Sequence, residues 1–147
     1  MSSVVISGDT SGAITLSAPA VAGTTTLTLP TTTGTVLNDA TVGVCRAWVN
    51  FNGTTVTNPA SMTGVRGSFN VSSILDNGTG DYTINFTTAM SDANYAITGA
   101  GGEGGTTGMG QRTPSIGTVS TSSVRIVSIN QDGTYTDAVY CCISIFR

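Results

Sequence analysis

The residues of this chain whose types and spacing could do chemistry are few. Gly99-Ala100-Gly101-Gly102-Glu103-Gly104 has the GxGxxG spacing that lets backbone wrap a pyrophosphate, and it follows an apolar stretch readable as a short strand over Tyr95–Thr98. Phosphate binding of that kind needs a helix next, with its N-terminal N–H groups aimed at the ligand. The chain instead continues Gly105-Thr106-Thr107-Gly108-Met109-Gly110, which cannot start one. The stretch therefore reads as a glycine-rich surface loop. Gly101, Gly102, Glu103, Gly104, Gly105 and Met109 are its candidate contact residues, because glycine lets the backbone of a partner protein come close.

Asp76 and Asp81 flank Asn77-Gly78-Thr79-Gly80. Two acids across a turn fall short of the six or more oxygens calcium takes, and hairpin chemistry accounts for the same residues. The chain has no histidine, which removes Ser-His-Asp and Cys-His catalysis, the HExxH zinc motif and the commonest metal ligand. Cys45, Cys141 and Cys142 form no CxxC pair. Adjacent Cys141 and Cys142 point to opposite faces of a strand; a Cys45–Cys141 bridge is open to the sequence, but reduced thiols are the expectation. No catalytic residue, metal site or cofactor is expected. Arg46 and Arg125 fall inside strand patterns, either on a solvated face or paired with an acid across a subunit boundary. Trp48, on the face of Arg46, reads as an anchor between subunits.

The elements that would position such residues are strands. The 147 residues include only 9% charged residues, with a net charge of -3, and all five basic residues are scattered arginines. No basic stripe exists to meet phosphates, so neither nucleic acid nor an anionic membrane is an expected partner. Thr, Ser, Gly, Asn and Val dominate, which favours strands over helices. No apolar run approaches the length that crosses a bilayer, and the first residues lack the basic and apolar regions of a secretory signal. A surface of hydroxyls and glycine repels its neighbours weakly and favours assembly.

All nine aromatic residues follow position 47. Aromatic rings supply much of a core's buried area, so residues 1–40 are expected to form an extended β arm and residues 41–147 a β-sandwich domain. In the arm, Ile14 with Leu16 and Leu27 with Leu29 alternate between turn residues, and they are expected to pack on another subunit. In the domain, Cys45, Ala47, Val49 and Phe51 share one face of a strand. Phe69 and Val71 mark a second, and Tyr82, Ile84 and Phe86 a third beyond the Asn-Gly hairpin. Strands over Ser123–Asn130 and Ala138–Phe146 close the chain around a turn at Gln131-Asp132-Gly133, and Thr88–Ala93 could form one helical turn. The last strand is apolar on both faces: Val139, Cys141, Ile143 and Ile145 on one, and Ala138, Tyr140, Cys142 and Phe146 on the other. One face meets the opposite sheet; the second is expected to meet another copy. Trp48, Tyr140 and Phe146 join the arm residues as candidate interface residues.

The run Gly8-Asp9-Thr10-Ser11-Gly12-Ala13-Ile14-Thr15-Leu16, continuing through Gly23–Pro30 to Leu37, resembles a segment of phage tail-fibre and other virion proteins. Arg46–Gly53, Ser68–Ile74, Asp76–Phe86 and Asp92–Ala96 resemble a module of bacteriophage virion structural proteins. The resemblance covers most of the chain. It implies an all-β, antiparallel β-sandwich or jelly-roll-like domain that trimerises, with an N-terminal arm attaching it to the particle. A chain with no long shaft fits a homotrimeric capsid decoration (cement) protein of the virion surface, assembled in the host cytoplasm beside the major capsid protein. The other reading is a short tail fibre or tip that binds a host surface glycan through Trp48, Tyr95 or the glycine-rich loop.

Overall fold

The computed structural model describes residues 3–7, 12–17, 43–104 and 111–147. Contacts divide the chain into two units, Met1–Val36 and Leu37–Arg147. In the first, β1 (Ser3–Ser7) and β2 (Ala13–Ser17) form an antiparallel hairpin with Ser3 opposite Ser17 and Ser7 opposite Ala13. The strand expected at Ile14 and Leu16 is β2; its partner β1, in the β-branched run Val4-Val5-Ile6, was not among the strands expected. Leu27 and Leu29 lie outside the described residues.

The second unit is an antiparallel β-sandwich. Its strands are β3 (Cys45–Phe51), β4 (Val65–Phe69), β5 (Val71–Gly78), β6 (Asp81–Phe86), β7 (Ala96–Gly102), β8 (Gln111–Val119), β9 (Ser123–Ile129) and β10 (Tyr140–Phe146). The pairing order is β4-β3-β10-β7-β8-β9-β6-β5. β7 and β8 touch through two pairs alone, Gly101 with Arg112 and Gly102 with Gln111, so the ribbon folds there into two four-stranded sheets. Within it, β7, β8 and β9 run consecutively and β10 returns beside β7, which is a Greek key. The hairpin β3–β4 extends one end and β5–β6 the other.

Period-two alternation places the core. Ala47, Val49 and Phe51 of β3 and Cys141, Ile143 and Ile145 of β10 point inward, meeting Ile74, Tyr82, Ile84, Phe86, Val124 and Ile126 of the second sheet, all buried. Phe51 and Tyr82 bridge the sheets edge-to-face at 5.2 Å. Burying each such large side chain contributes about 1.5–3 kcal/mol. Tyr82 Oη donates to Asp137 Oδ1 at 2.7 Å, and the same carboxylate oxygen accepts the Gly80 N–H at 2.7 Å. A buried phenol thus has its partner, and burial first, then that bond, hold its ionisation far above the ordinary tyrosine range.

Several local expectations are corrected. Phe69 and Val71 do not share a strand. The chain passes from the first sheet to the second at Asn70, where φ is 55°, so Phe69 is exposed on β4 while Val71 is buried on β5. The hairpin near Asp76–Asp81 exists, but Asn77 and Gly78 are still within β5 and the turn is Thr79-Gly80. Gly101 and Gly102 belong to β7 rather than to a loop, because pairing with β10 along its whole length overrides their weak strand propensity. β8 was absent from the sequence reading; Pro114 and Gly117 hide it, and Pro114 is accommodated because past Arg112 the strand is an edge. Thr88–Ala93 forms no helical turn; the helical turn among the described residues is a 3-10 turn at Gly53–Thr55, capped by Asn52. Ala138 precedes β10 and is fully buried, instead of facing outward with Tyr140 and Cys142.

Candidate interaction surface

The two outer faces of the sandwich differ in kind. On the second sheet, the outward polar residues of β5, β6 and β9 bond to one another, with the half-buried Leu75 and Val127 outward between them. Arg125 grips Asp81 with two nitrogens, Nε at 2.8 Å from Oδ1 and Nη2 on Oδ2. Asn77 Nδ2 donates to Asp81 Oδ1 at 3.2 Å and to Thr83 Oγ1 at 2.9 Å, while Asn85 Nδ2 donates to Ser73 Oγ at 3.1 Å. The Arg125 bond, against the opposing effect of burial, holds the Asp81 carboxyl below the usual carboxylate range. Arg125 therefore has an acid of its own chain, not one across a subunit boundary. Asp76 is likewise committed, accepting the Gly78 N–H at 2.8 Å.

On the first sheet the register lays the outward residues in rows. Phe69, Trp48, Ser144 and Thr98 form one row; Gly67, Asn50, Cys142 and Ala100 form the next; Tyr140 and Gly102 follow. None of these ten residues is charged; the charges at this face are Arg46, which alternates with Trp48 on β3, and Arg66 on β4. Three rings stand out of the face, with Trp48 41%, Phe69 54% and Tyr140 46% exposed. Trp48 leans over Gly67, where an added Cβ would lie 3.3 Å from its Cη2. Arg66 sits 4.5 Å from the centre of the Tyr140 ring, and its guanidinium donates to Asn50 Oδ1 at 3.2 Å and to the Val139 carbonyl at 2.8 Å. That Arg–Tyr contact bounds the face at one end.

The structure thus gathers Trp48 and Tyr140 on one surface, with Phe146 half-buried at its far end beside Ala96. It adds Phe69, which the sequence reading had assigned to a strand but not to the surface. A clean alternation inside β4 would have flagged it, had the break at Asn70 been legible. Gly102 lies on the same face and Gly101 on β7 beside it, while Glu103 and Gly104 follow the strand; Gly105 and Met109 lie outside the described residues, as do the side chains of Ile14 and Leu16. Tyr95 is withdrawn from any binding role. It packs edge-to-face on Phe86 at 6.1 Å, and its hydroxyl donates to the carbonyls of Ser120 and Ser123.

Among the described residues all three cysteines are free thiols: Cys45 half-buried, Cys141 buried and Cys142 exposed on the outer face. Burial pushes the Cys141 thiol up to about 12. One open cavity of about 850 Å³ lies at the end of the sandwich, lined by Phe69, Asn70, Thr88, Met90, Arg46 and Arg147 among others. Arg147 there is paired with Asp92.

The fold and this surface define an antiparallel β-sandwich with an Asp81–Arg125 hydrogen-bond network on one outer face and three exposed rings on the other. Comparison with protein-family models, with curated proteins and with solved structures returns no match in any of the three.

Proposed function

We propose that this chain is a non-enzymatic structural protein of a bacteriophage virion, working as a homotrimer that decorates and stabilises the capsid surface. The observation that carries the reading is the gathering of three exposed rings, Phe69, Trp48 and Tyr140, on one outer face of the sandwich. A monomer in water has no use for three exposed rings on one sheet face, whereas a subunit that packs on a neighbour does. The carboxylates near the turns support this by exclusion, since Asp76, Asp81 and Asp137 are each bound up in holding the fold. The resemblance of Arg46–Gly53 and Asp76–Phe86 to virion modules directs the reading to a particle rather than to a soluble oligomer. Repetition of a modest contact over many lattice sites supplies avidity, so no single contact need be strong.

The test has two parts. Light scattering on the purified chain should give three times the single-chain mass, and a density map of the parent particle should place the trimer on the head. A single-chain mass overturns the homotrimer, and density on the tail moves the protein to a fibre or tip. A second reading, recognition of a host surface saccharide, is favoured by the open cavity that combines the exposed Phe69 ring with Thr87, Thr88 and Ser91 hydroxyls. A glycan array that stays blank disposes of it.

A further inference from the structure

The hairpin that joins β5 to β6 is not a plain ladder. Asp76 pairs with Tyr82 and Gly78 with Asp81, which leaves Asn77 as the extra residue of a bulge, with no partner across the ladder. Asn77 is exposed, as are Gly78 and Thr79 after it. Gly78 has φ 131°, a backbone open to glycine and strained for other residues. Its N–H donates to the Asp76 carboxylate, at 2.8 Å from Oδ1.

An asparagine followed by glycine holds a nucleophile and its target in one short segment. The glycine nitrogen, with no Cβ beside it, lies within reach of the preceding side-chain amide carbon. The chain has two such pairs, Asn52-Gly53 and Asn77-Gly78, and the fold treats them differently. Gly53 is buried, its N–H donates to the Ala138 carbonyl at 2.8 Å, and the Tyr82 ring packs against it. Gly78 faces water, and its N–H points at a carboxylate.

We propose that Asn77 is a site of spontaneous deamidation, in which Gly78 N closes a succinimide ring on the Asn77 side chain. The inference is independent of how copies of the chain assemble. The proton on Gly78 N passes to Asp76, and the freed electron pair forms the N–Cγ bond. The Cγ–Nδ2 bond then breaks, and Nδ2 leaves as ammonia with that electron pair and the proton held by Asp76. Water opens the ring at either carbonyl carbon, returning one proton to Gly78 N and releasing the other as the new acid ionises. Opening at Cγ leaves an aspartyl residue, and opening at the main-chain carbon leaves an isoaspartyl one. No electron changes hands, and water is the sole co-reactant.

Two hydrogen bonds must open first, from Asn77 Nδ2 to Asp81 Oδ1 at 3.2 Å and to Thr83 Oγ1 at 2.9 Å. Both lie at the exposed end of a hairpin, where local opening is cheap, whereas Gly53 would have to leave the core. The product then acts on the same network. A carboxylate at position 77 donates to neither partner and sets a second negative charge beside the Asp81 carboxylate that Arg125 grips.

The experiment warms the full chain at neutral pH and follows each asparagine by tandem mass spectrometry of proteolytic peptides. Position 77 should convert several-fold faster than position 52 in the folded chain, giving aspartyl and isoaspartyl products together. In urea the two rates should converge, because Gly53 is then freed. Asp76→Asn, which keeps an acceptor oxygen but not a base, should slow conversion at 77 several-fold; Asp76→Ser serves where circular dichroism shows that variant unfolded. Retention of the Asn77 amide over the time in which the urea-unfolded chain converts it would overturn the proposal. Equal rates at 52 and 77 in the folded chain would overturn it as well. A folded Asp76 variant that converts at the unmodified rate would overturn the proton transfer to Asp76.

Discussion

Asn70 is the hinge on which the two sheets meet, and replacing it gives a sharp test of how the sandwich is closed. Its backbone has φ 55°, and its side chain makes three hydrogen bonds: Nδ2 donates to the Arg46 and Thr88 carbonyls, each at 3.0 Å, and Oδ1 accepts the Thr88 N–H at 2.7 Å. Those bonds tie the corner between β4 and β5 to the start of β3 and to the segment after β6. At a net contribution of about 0.5–1.5 kcal/mol each, the three sum to roughly 1.5–4.5 kcal/mol, and solvent access at Thr88 places the effect in the lower half of that range. Asn70→Gly keeps the left-handed backbone but loses all three bonds and adds about 0.5–1 kcal/mol of chain entropy, for a total of about 2–4 kcal/mol. With a urea m-value of about 2 kcal/mol per molar, the unfolding midpoint should fall by about 1–2 M.

Asn70→Asp separates the donors from the acceptor. The aspartate tolerates the backbone and still accepts from Thr88, but it loses both donated bonds and sets a carboxylate against two carbonyl oxygens. Its deficit at pH 7 should equal or exceed that of the glycine variant. Those carbonyls raise its folded pKa above the unfolded value of about 3.9, so the deficit relative to the unmodified protein should shrink as pH falls toward 4. Equilibrium urea unfolding at both pH values reads the result. A glycine variant within about 0.5 kcal/mol of the parent would show that water replaces all three bonds. An aspartate variant as stable as the parent at pH 7 would show that the amide does not donate to those carbonyls.

Other outcomes follow from single contacts. Gly53→Ala would put a Cβ 2.3 Å from the fully buried Tyr82 Oη and 2.9 Å from the Ala138 carbonyl, so it should cost about 1–3 kcal/mol of overpacking, measured by thermal melt. Because Arg125 lowers the folded pKa of Asp81, the stability from that pair is present above the unfolded value near 4 and is lost as pH falls through the folded one. Asp81→Asn should therefore flatten the acid limb of the stability profile; an unchanged limb refutes the assignment. The Tyr82 and Tyr95 phenols have raised folded pKa values, so their contribution is full below about pH 10 and is lost above it. Absorbance near 295 nm should show those two rings ionising only together with alkaline unfolding. In single chains a maleimide should label Cys142 and leave Cys141 untouched until denaturant is added; labelling of Cys141 in the folded protein would contradict its burial.

The alternations in Cys45–Phe51, Asp81–Phe86 and Tyr140–Phe146 determined most of the core directly, because strand geometry sends successive side chains to opposite faces whatever the partner strand. The same logic placed Trp48 and Tyr140 outside and separated Cys141 from Cys142. The all-β class was equally legible from composition. Pairing was not. β8 and the second half of β7 are strands because β9 and β10 supply their hydrogen bonds, and local propensity in Gly99–Gly102 or Pro114–Gly117 says nothing of a neighbour elsewhere in the chain.

The face itself shows the division most clearly. Strand alternation alone sends Trp48, Tyr140 and Cys142 outward from their own strands. The order β4-β3-β10-β7 is what brings Phe69 and Trp48 together on one side, with Thr98, Ala100 and Cys142 beside them. Side-chain direction is a property of two bonds at one residue, whereas adjacency across a sheet is a property of chain topology, which the local backbone does not encode.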